Sequence, residues 1–476
     1  MKYTSVSLTY IKDKSTIHAS SGILITSKKE SFVLTINHIP NINDYKIYSN
    51  YEPNKSITNV QWNEIKIIEE IELNQDFQFF KNEFHIFPSD QFFKSTISLL
   101  KLTAPTNMSK KLMEFKLDLN FKIGESIKII SSPFNLTNPF IFNNFINYSH
   151  IVNQINDEDY LLCDLKYLDN MNGGIVVNSL NDQIIGLVLG SLRKINGDGD
   201  LTIIIPFIKI FKLLKMNEFS INSSTTNSLT SSSIIPIKIK SSNKYTWGSC
   251  VLYKSNVLIT NHHVISPLFN EISSSALIIS PNNQTLAITK NQIKTPMKEL
   301  DLSFIFLDQP IQDLNPIIPC RNYKVETKVY TESYGLYLNV DNLKPMICPG
   351  FINYIYSNQN NLNGMIISST SCFNGSSGGG LFNFQNNEFL GIICSNAQIK
   401  KFKPFEAIKG KEDNKEEFEK ITNFTFILPI DLIDYCFNQL IKEKVIKIDS
   451  KIIDLWKLKS FHQEIFIDLP ENRSKL

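Results

Sequence analysis

The sequence predicts an all-β protein of two tandem barrel domains, on three observations. Short apolar runs rich in Ile, Val, Phe and Thr alternate along the chain with Asn, Asp, Gly and Pro, the pattern of many short strands. A polar tract, Ser220-Ile-Asn-Ser-Ser-Thr-Thr-Asn-Ser-Leu-Thr-Ser-Ser-Ser233, interrupts that pattern near the middle. The landmarks on one side of the tract recur, in the same order, on the other. A chain of 476 residues also exceeds what one ordinary core holds.

In chain order, residues 1–215 form the first domain. Residues 216–233 follow as a linker, because such composition cannot bury enough apolar surface to offset its ordering entropy. Residues 234–440 form the second domain and 441–476 a tail. Four landmarks indicate duplication. Phe32-Val-Leu-Thr-Ile-Asn-His38 aligns with Val257-Leu-Ile-Thr-Asn-His-His263. Thr96-Ile-Ser-Leu-Leu aligns with Asp301-Leu-Ser-Phe-Ile, Asn172-Gly-Gly-Ile with Ser377-Gly-Gly-Gly, and Ile185-Gly186 with Leu390-Gly391. The mixed-charge run Lys409–Lys420 reads as a solvated insertion in the second domain.

Composition narrows the function. Forty-eight basic and 46 acidic residues leave a net charge of +2, which gives no electrostatic reason for a nucleic-acid partner or an anionic membrane. No run reaches the ~18 apolar residues of a membrane span, and no apolar signal segment follows Met1-Lys-Tyr. Seven cysteines with no zinc spacing predict reduced thiols and no metal. The sequon Asn374-Gly375-Ser376 would place a glycan beside the chemistry described next, which also argues against secretion. The last residues, Ser474-Lys475-Leu476, match the peroxisomal address read by an import receptor.

Three stretches of the second domain carry chemistry: Ile259-Thr-Asn-His-His263-Val, Leu300-Asp301-Leu-Ser-Phe-Ile-Phe and Gly375-Ser-Ser377-Gly-Gly. A serine hydroxyl is a poor nucleophile at neutral pH. It needs a histidine to take its proton and a carboxylate to hold that histidine in the right tautomer. The order His, Asp, Ser is one of the known orders of such a triad. Ser377 is the expected nucleophile, with Ser376 the competitor. His263 is the expected base, since it aligns with His38 while His262 aligns with Asn37. His262 and His263 are expected on a strand-to-turn segment, where successive side chains diverge. Asp301 is the expected acid, with Asp308 its rival. The first domain keeps His38 but has Thr96 for Asp301, Asn172 for Ser377 and Asn170 for Gly375. It reads as a catalytically degenerate copy.

These motifs, with Phe426-Ile-Leu-Pro-Ile-Asp-Leu, resemble the trypsin-like serine proteases and, within them, the HtrA/Deg branch. With the degenerate first half and the terminal Ser-Lys-Leu, the chain resembles the peroxisomal and glyoxysomal processing proteases. The resemblance implies two tandem chymotrypsin-like double β-barrel domains. It also implies a peroxisomal matrix endopeptidase with no cofactor, one that removes N-terminal type-2 targeting peptides from imported precursors. The backbone amides of Gly375 and Ser377 would form the oxyanion hole. Ser371 would form the base of the specificity pocket, with Cys394 and Asn396 on its walls. Ser371 is uncharged, so small or uncharged side chains would be preferred over Lys or Arg. Two departures stand out. Gly380 takes a place where many trypsin-like enzymes have proline, and only 47 residues follow Pro429, too few for the PDZ domain of HtrA proteins. The rival expectations are a non-enzymatic binding protein that keeps a protease fold and a serine esterase using the same triad. The oligomeric state is not legible.

Overall fold

The computed structural model describes all residues except 28–29, 51–61, 74–76, 78–83, 88–96, 106–111, 156–158, 195–198, 217–232, 242–243, 271–273, 283, 337–343, 359–361, 401–417 and 458–476. Thr96, most of the linker and of the mixed-charge run, and Ser474 to Leu476 therefore lie outside the described residues. The chain forms two compact units. One comprises Met1–Thr230 with Leu336–Pro349, the other Ser231–Gly335 with Gly350–Leu476. The fold is mostly β.

Each unit contains two sheets. In the first unit, the strands Asn63–Ile65, Lys46–Asn50, Lys2–Ile11, Ile17–Thr26, Ser31–Asn37, Ser98–Thr103 and Ile67–Glu72 pair in that order. The two edge strands are consecutive in sequence, with Lys66 alone between them. The sheet therefore curls until the chain itself joins its edges. Its interior is filled by Leu8, Leu24, Val33, Ile47, Leu100 and neighbours. The second sheet runs Ile175–Asn178, Ser126–Ser131, Phe145–Ile155, Tyr160–Cys163, Leu201–Pro206 and Ile184–Lys194. The last strand pairs back to the first, so this ring closes by hydrogen bonds.

The second unit repeats the plan. Thr285–Ile288, Ser275–Ile279, Ile234–Ser241, Lys244–Lys254, Val257–Asn261, Leu302–Phe306 and Ile293–Met297 form the curled sheet. Its edges are joined by the turn Lys290–Gln292. A closed barrel follows from Lys328–Ser333, Met346–Ser357 (counted with this unit from Gly350 on), Asn363–Ser368, Phe418–Pro429, Phe389–Lys400 and Gly380–Asn383. By strand pairing, one sheet per unit closes and its partner is curled, a refinement of the double-barrel expectation.

The repeat extends to individual contacts. Ser21 donates its amide to the Asn172 carbonyl at 2.9 Å, and Ser249 does the same to Ser377 at 2.9 Å. The Thr35 hydroxyl donates to the Ser21 carbonyl and that of Thr260 to the Ser249 carbonyl, at 2.6 and 2.8 Å. A Cβ on Gly173 would lie 2.1 Å from the Ser21 carbonyl oxygen, and one on Gly378 would lie 2.0 Å from that of Ser249. Both glycines have positive φ, +78° and +81°.

Two details differ from the sequence reading. His262 and His263 open a helix, His262–Asn270, and are not on a strand-to-turn segment. The segment after residue 440 is also not all free tail. The helix Ile430–Ile441 continues past it, and a further helix, Ser450–Trp456, packs back on the barrel. Ile452 is fully buried there, and the Trp456 indole donates to the Gly364 carbonyl at 2.9 Å. All seven cysteines are buried thiols outside any disulfide. Among the described residues no helix is long and apolar enough to cross a membrane.

Candidate active site

Asp301 follows a short turn, Lys298–Leu300, and adopts the left-handed conformation (φ 55°, ψ 36°) before Leu302–Phe306 begins. That strand pairs with Val257–Asn261, setting Leu302 opposite Asn261. The register brings Asp301 to the start of the histidine helix. The Asp301 carbonyl accepts the His262 amide at 3.0 Å. One carboxylate oxygen accepts the His263 amide at 2.8 Å, and the other lies 2.6 Å from His263 Nδ1. With the carboxylate oxygen as acceptor, the neutral imidazole carries its proton on Nδ1 and leaves Nε2 as the acceptor. The His263 side chain is 52% exposed, open to a substrate. His262 faces elsewhere, with Nδ1 3.3 Å from the Thr295 hydroxyl. Its pKa is lowered, chiefly by burial and secondarily by Lys298. Asp308 accepts from the Gln292 amide group at 3.1 Å, at the opposite end of its strand.

The nucleophile loop is built on glycines. Gly375 has φ +91°, and a Cβ there would lie 2.0 Å from Trp247 Nε1. Gly378 donates to the Ile393 carbonyl and Gly379 to the Ser376 carbonyl, each at 2.9 Å. The two serines separate cleanly. Ser376 is buried, donates nothing toward His263, and its hydroxyl lies 2.9 Å from Ser333 Oγ and accepts the Phe373 amide. Ser377 is partly exposed. Its hydroxyl faces the Cys394 carbonyl at 3.5 Å and makes no hydrogen bond to His263. The amides of Gly375 and Ser377 have no acceptor among the described residues, whereas the amides of Ser376, Gly378 and Gly379 all do. Two unpaired donors, the amide of Ser377 itself and that of Gly375 two residues before it, are what a developing oxyanion requires.

The three pocket residues divide. The Ser371 hydroxyl is buried and donates to Asn423 Oδ1 at 2.8 Å, and the Asn396 side chain donates to the Cys372 carbonyl at 3.3 Å. The Cys394 thiol instead lies under the triad, 3.2 Å from Asn261 Nδ2. Burial first, and then Asp301, push that thiol's pKa well above its ordinary value. The backbone carbonyl of Cys394 faces the Ser377 hydroxyl. Ser249 and Asn261 carry no charge and fit no nucleophile pattern, so the sequence does not single them out. Yet Ser249 braces the loop, donating its hydroxyl to the Gly375 carbonyl at 3.0 Å and accepting the Tyr334 amide at 2.9 Å.

The equivalent place in the first unit is stoppered. The Asn172 side chain donates to the Ile36 carbonyl at 2.7 Å. Its backbone amide, the counterpart of the Ser377 donor, is taken by the Tyr167 hydroxyl at 3.2 Å. His38 is buried, with Nε2 2.7 Å from the Leu189 carbonyl, and burial holds its pKa down at about 4.

Residues 248–392 match the model of the trypsin-like peptidase domain family, and Asp301, His263 and Ser377 all fall inside that span. That stretch of the second unit is thus similar to the trypsin-like peptidase family, and the fold is chymotrypsin-like. Solved structures similar to this chain include the HtrA-type protease AlgW with a tripeptide (15% identity, 45% of this chain and 62% of that one, TM-score 0.33). Two others are the serine endoprotease from Yersinia pestis (18%, 45% and 64%, 0.33) and the active form of the Rv3671c protease from M. tuberculosis (15%, 46% and 83%, 0.31). This chain thus spans about three fifths of the AlgW chain. No curated protein matches it in sequence.

Proposed function

We propose that the chain is a serine endopeptidase that works through His263, Asp301 and Ser377 in its second unit, and that the first unit is a copy without catalysis. The observation that carries this reading is the 2.6 Å contact between His263 Nδ1 and Asp301, together with a serine, Ser377, whose own amide and that of Gly375 are unpaired. In this mechanism Ser377 turns from the Cys394 carbonyl toward His263 Nε2, a hydrogen bond of the kind that tightens when substrate binds. Nε2 takes the hydroxyl proton as Oγ attacks the scissile carbonyl. Asp301 stabilises the resulting imidazolium. The amides of Gly375 and Ser377 receive the charge on the carbonyl oxygen, each donor contributing about 3 kcal/mol to the transition state. His263 then protonates the leaving amine, and water hydrolyses the acyl-enzyme by the reverse sequence. The mechanism needs no cofactor.

The proposed substrates are unfolded precursor segments of peroxisomal matrix proteins, cut to release N-terminal type-2 targeting peptides. The likeness to processing proteases supports this, and the uncharged Ser371 supports a small or uncharged residue before the cut. Two experiments test the reading. A serine-reactive fluorophosphonate should label the wild type and not Ser377→Ala, with proteolysis falling about 10⁵-fold or more in that variant; full turnover in it would sink the assignment. Incubation with precursors bearing type-2 leaders should yield new N-termini just past the leader. The proposed location is checked by deleting Ser474 to Leu476, which should leave catalysis intact and move the protein to the cytosol.

A further inference from the structure

The strand that leads into the histidine helix ends on Asn261, whose side chain is fully buried. Its amide nitrogen reaches two partners: the Asp301 carbonyl at 3.1 Å and the Cys394 thiol at 3.2 Å. Its amide oxygen is buried with no donor among the described residues. A buried acceptor without a partner lowers stability, and an apolar side chain of similar volume would remove that penalty. The first unit contains just such a replacement. Thr35 and Thr260 make the same bond to their neighbouring strands, so the residue after each occupies an equivalent place. In the first unit that residue is Ile36, also fully buried. The local fold therefore forms without the amide, in the unit whose chemistry is absent.

What the amide joins is specific to the site. Asp301 is held in the left-handed region, where a residue with a Cβ is strained. Its carbonyl is fixed by the His262 amide and by Asn261, while its carboxylate holds His263. Cys394 belongs to the barrel strand Phe389–Lys400, and its carbonyl faces Ser377. One side chain thus ties the loop that aims the base to the strand that faces the nucleophile.

We propose, on the reading of this unit as a serine peptidase, that Asn261 is a positioning residue that sets the Asp301–His263 pair in register with Ser377. It acts through Asp301 and Cys394 and touches no reacting atom. The test uses the full chain with Asn261→Ile, which copies the first unit, and Asn261→Leu as a second variant should the β-branched side chain not pack. With active sites titrated, kcat on a peptide substrate and the rate of fluorophosphonate labelling should both fall ~10- to 100-fold, with KM within about twofold of wild type. The melting temperature should stay level or rise. Two outcomes overturn the inference: labelling at the wild-type rate in a folded variant, or a loss of activity that tracks a lowered melting temperature. A wild type that neither labels nor cleaves overturns this inference and the peptidase reading together. An active wild type with unaffected variants overturns this inference alone.

Discussion

At the scale of single residues, the site depends on backbone shape as much as on side chains. Gly375 is held at φ +91° with Trp247 and the Tyr334 carbonyl packed where a Cβ would stand. Gly375→Ala must strain the backbone, which alone costs about 1–2 kcal/mol, and must also displace Trp247. We expect a lowered melting temperature and a kcat down by about 10²-fold or more as one oxyanion donor tilts away. Steady-state kinetics at a temperature where the variant is fully folded separates the two effects. Ser376→Ala should behave differently. It loses contacts to Ser333 and the Phe373 amide, so stability falls by roughly 1 kcal/mol while labelling at Ser377 persists; abolished labelling would place the nucleophile at 376.

At the scale of elements, two connections are testable. Arg321 pairs with Asp431 at 3.0 Å and also with Asp434, both in the first turns of the helix Ile430–Ile441. Tyr253 and Asn363 bond the same carboxylates. The helix is thus pinned to the chain segment between the two sheets of its unit. The Arg321 side chain is 54% exposed, so solvent screens the pair. Arg321→Ala should destabilise the unit by only about 1 kcal/mol, read as a shifted urea midpoint with unchanged slope. In the first unit, His38 ties the end of Ser31–Asn37 to the strand Ile184–Lys194. Its pKa is about 4 when folded and 6.5 when exposed. Between those values the unfolded chain binds the extra proton. The contribution is therefore whole above pH 6.5, declines as pH falls, and is exhausted near pH 4. By pH 5 the loss is on the order of 2 kcal/mol. Hydrogen exchange of peptides spanning residues 31–37 should show protection falling from pH 7.5 to 5, after correction for intrinsic rates. His38→Gln should flatten that slope; an equal slope in the variant would assign it elsewhere.

At the scale of the whole molecule, the two units share a plan and differ in what occupies its centre. The first unit presents an amide tied to Ile36, a donor covered by Tyr167 and a histidine turned to a backbone carbonyl. We therefore expect Ser377→Ala in the full chain to abolish all fluorophosphonate labelling, with no modified peptide from residues 1–215 by mass spectrometry. Any adduct there would contradict the reading of that unit as a copy without chemistry.

Much of this was legible from the sequence. Strand content follows from local apolar runs and turn residues, and the duplication follows from recurring landmarks, because both are written in short stretches. Candidates for the triad could be named because such chemistry demands particular residue types beside particular glycines. The tertiary structure decided what depends on distant partners. That Ser376 is turned inward is set by Ser333, 43 positions away. Which histidine meets Asp301 is set by a helix that starts where a turn was expected. The contact of the Cys394 thiol with Asn261 joins strands of two different sheets, 133 positions apart in the chain. Asn261 stands inside the histidine motif, yet its residue type alone names no role: an amide in an apolar strand acquires its meaning only from what the fold brings within reach of it. Sequence determines which groups are available, and the long-range register of strands determines which of them touch, since hydrogen bonds act over about 3 Å while the residues they join here stand 38 to 133 positions apart.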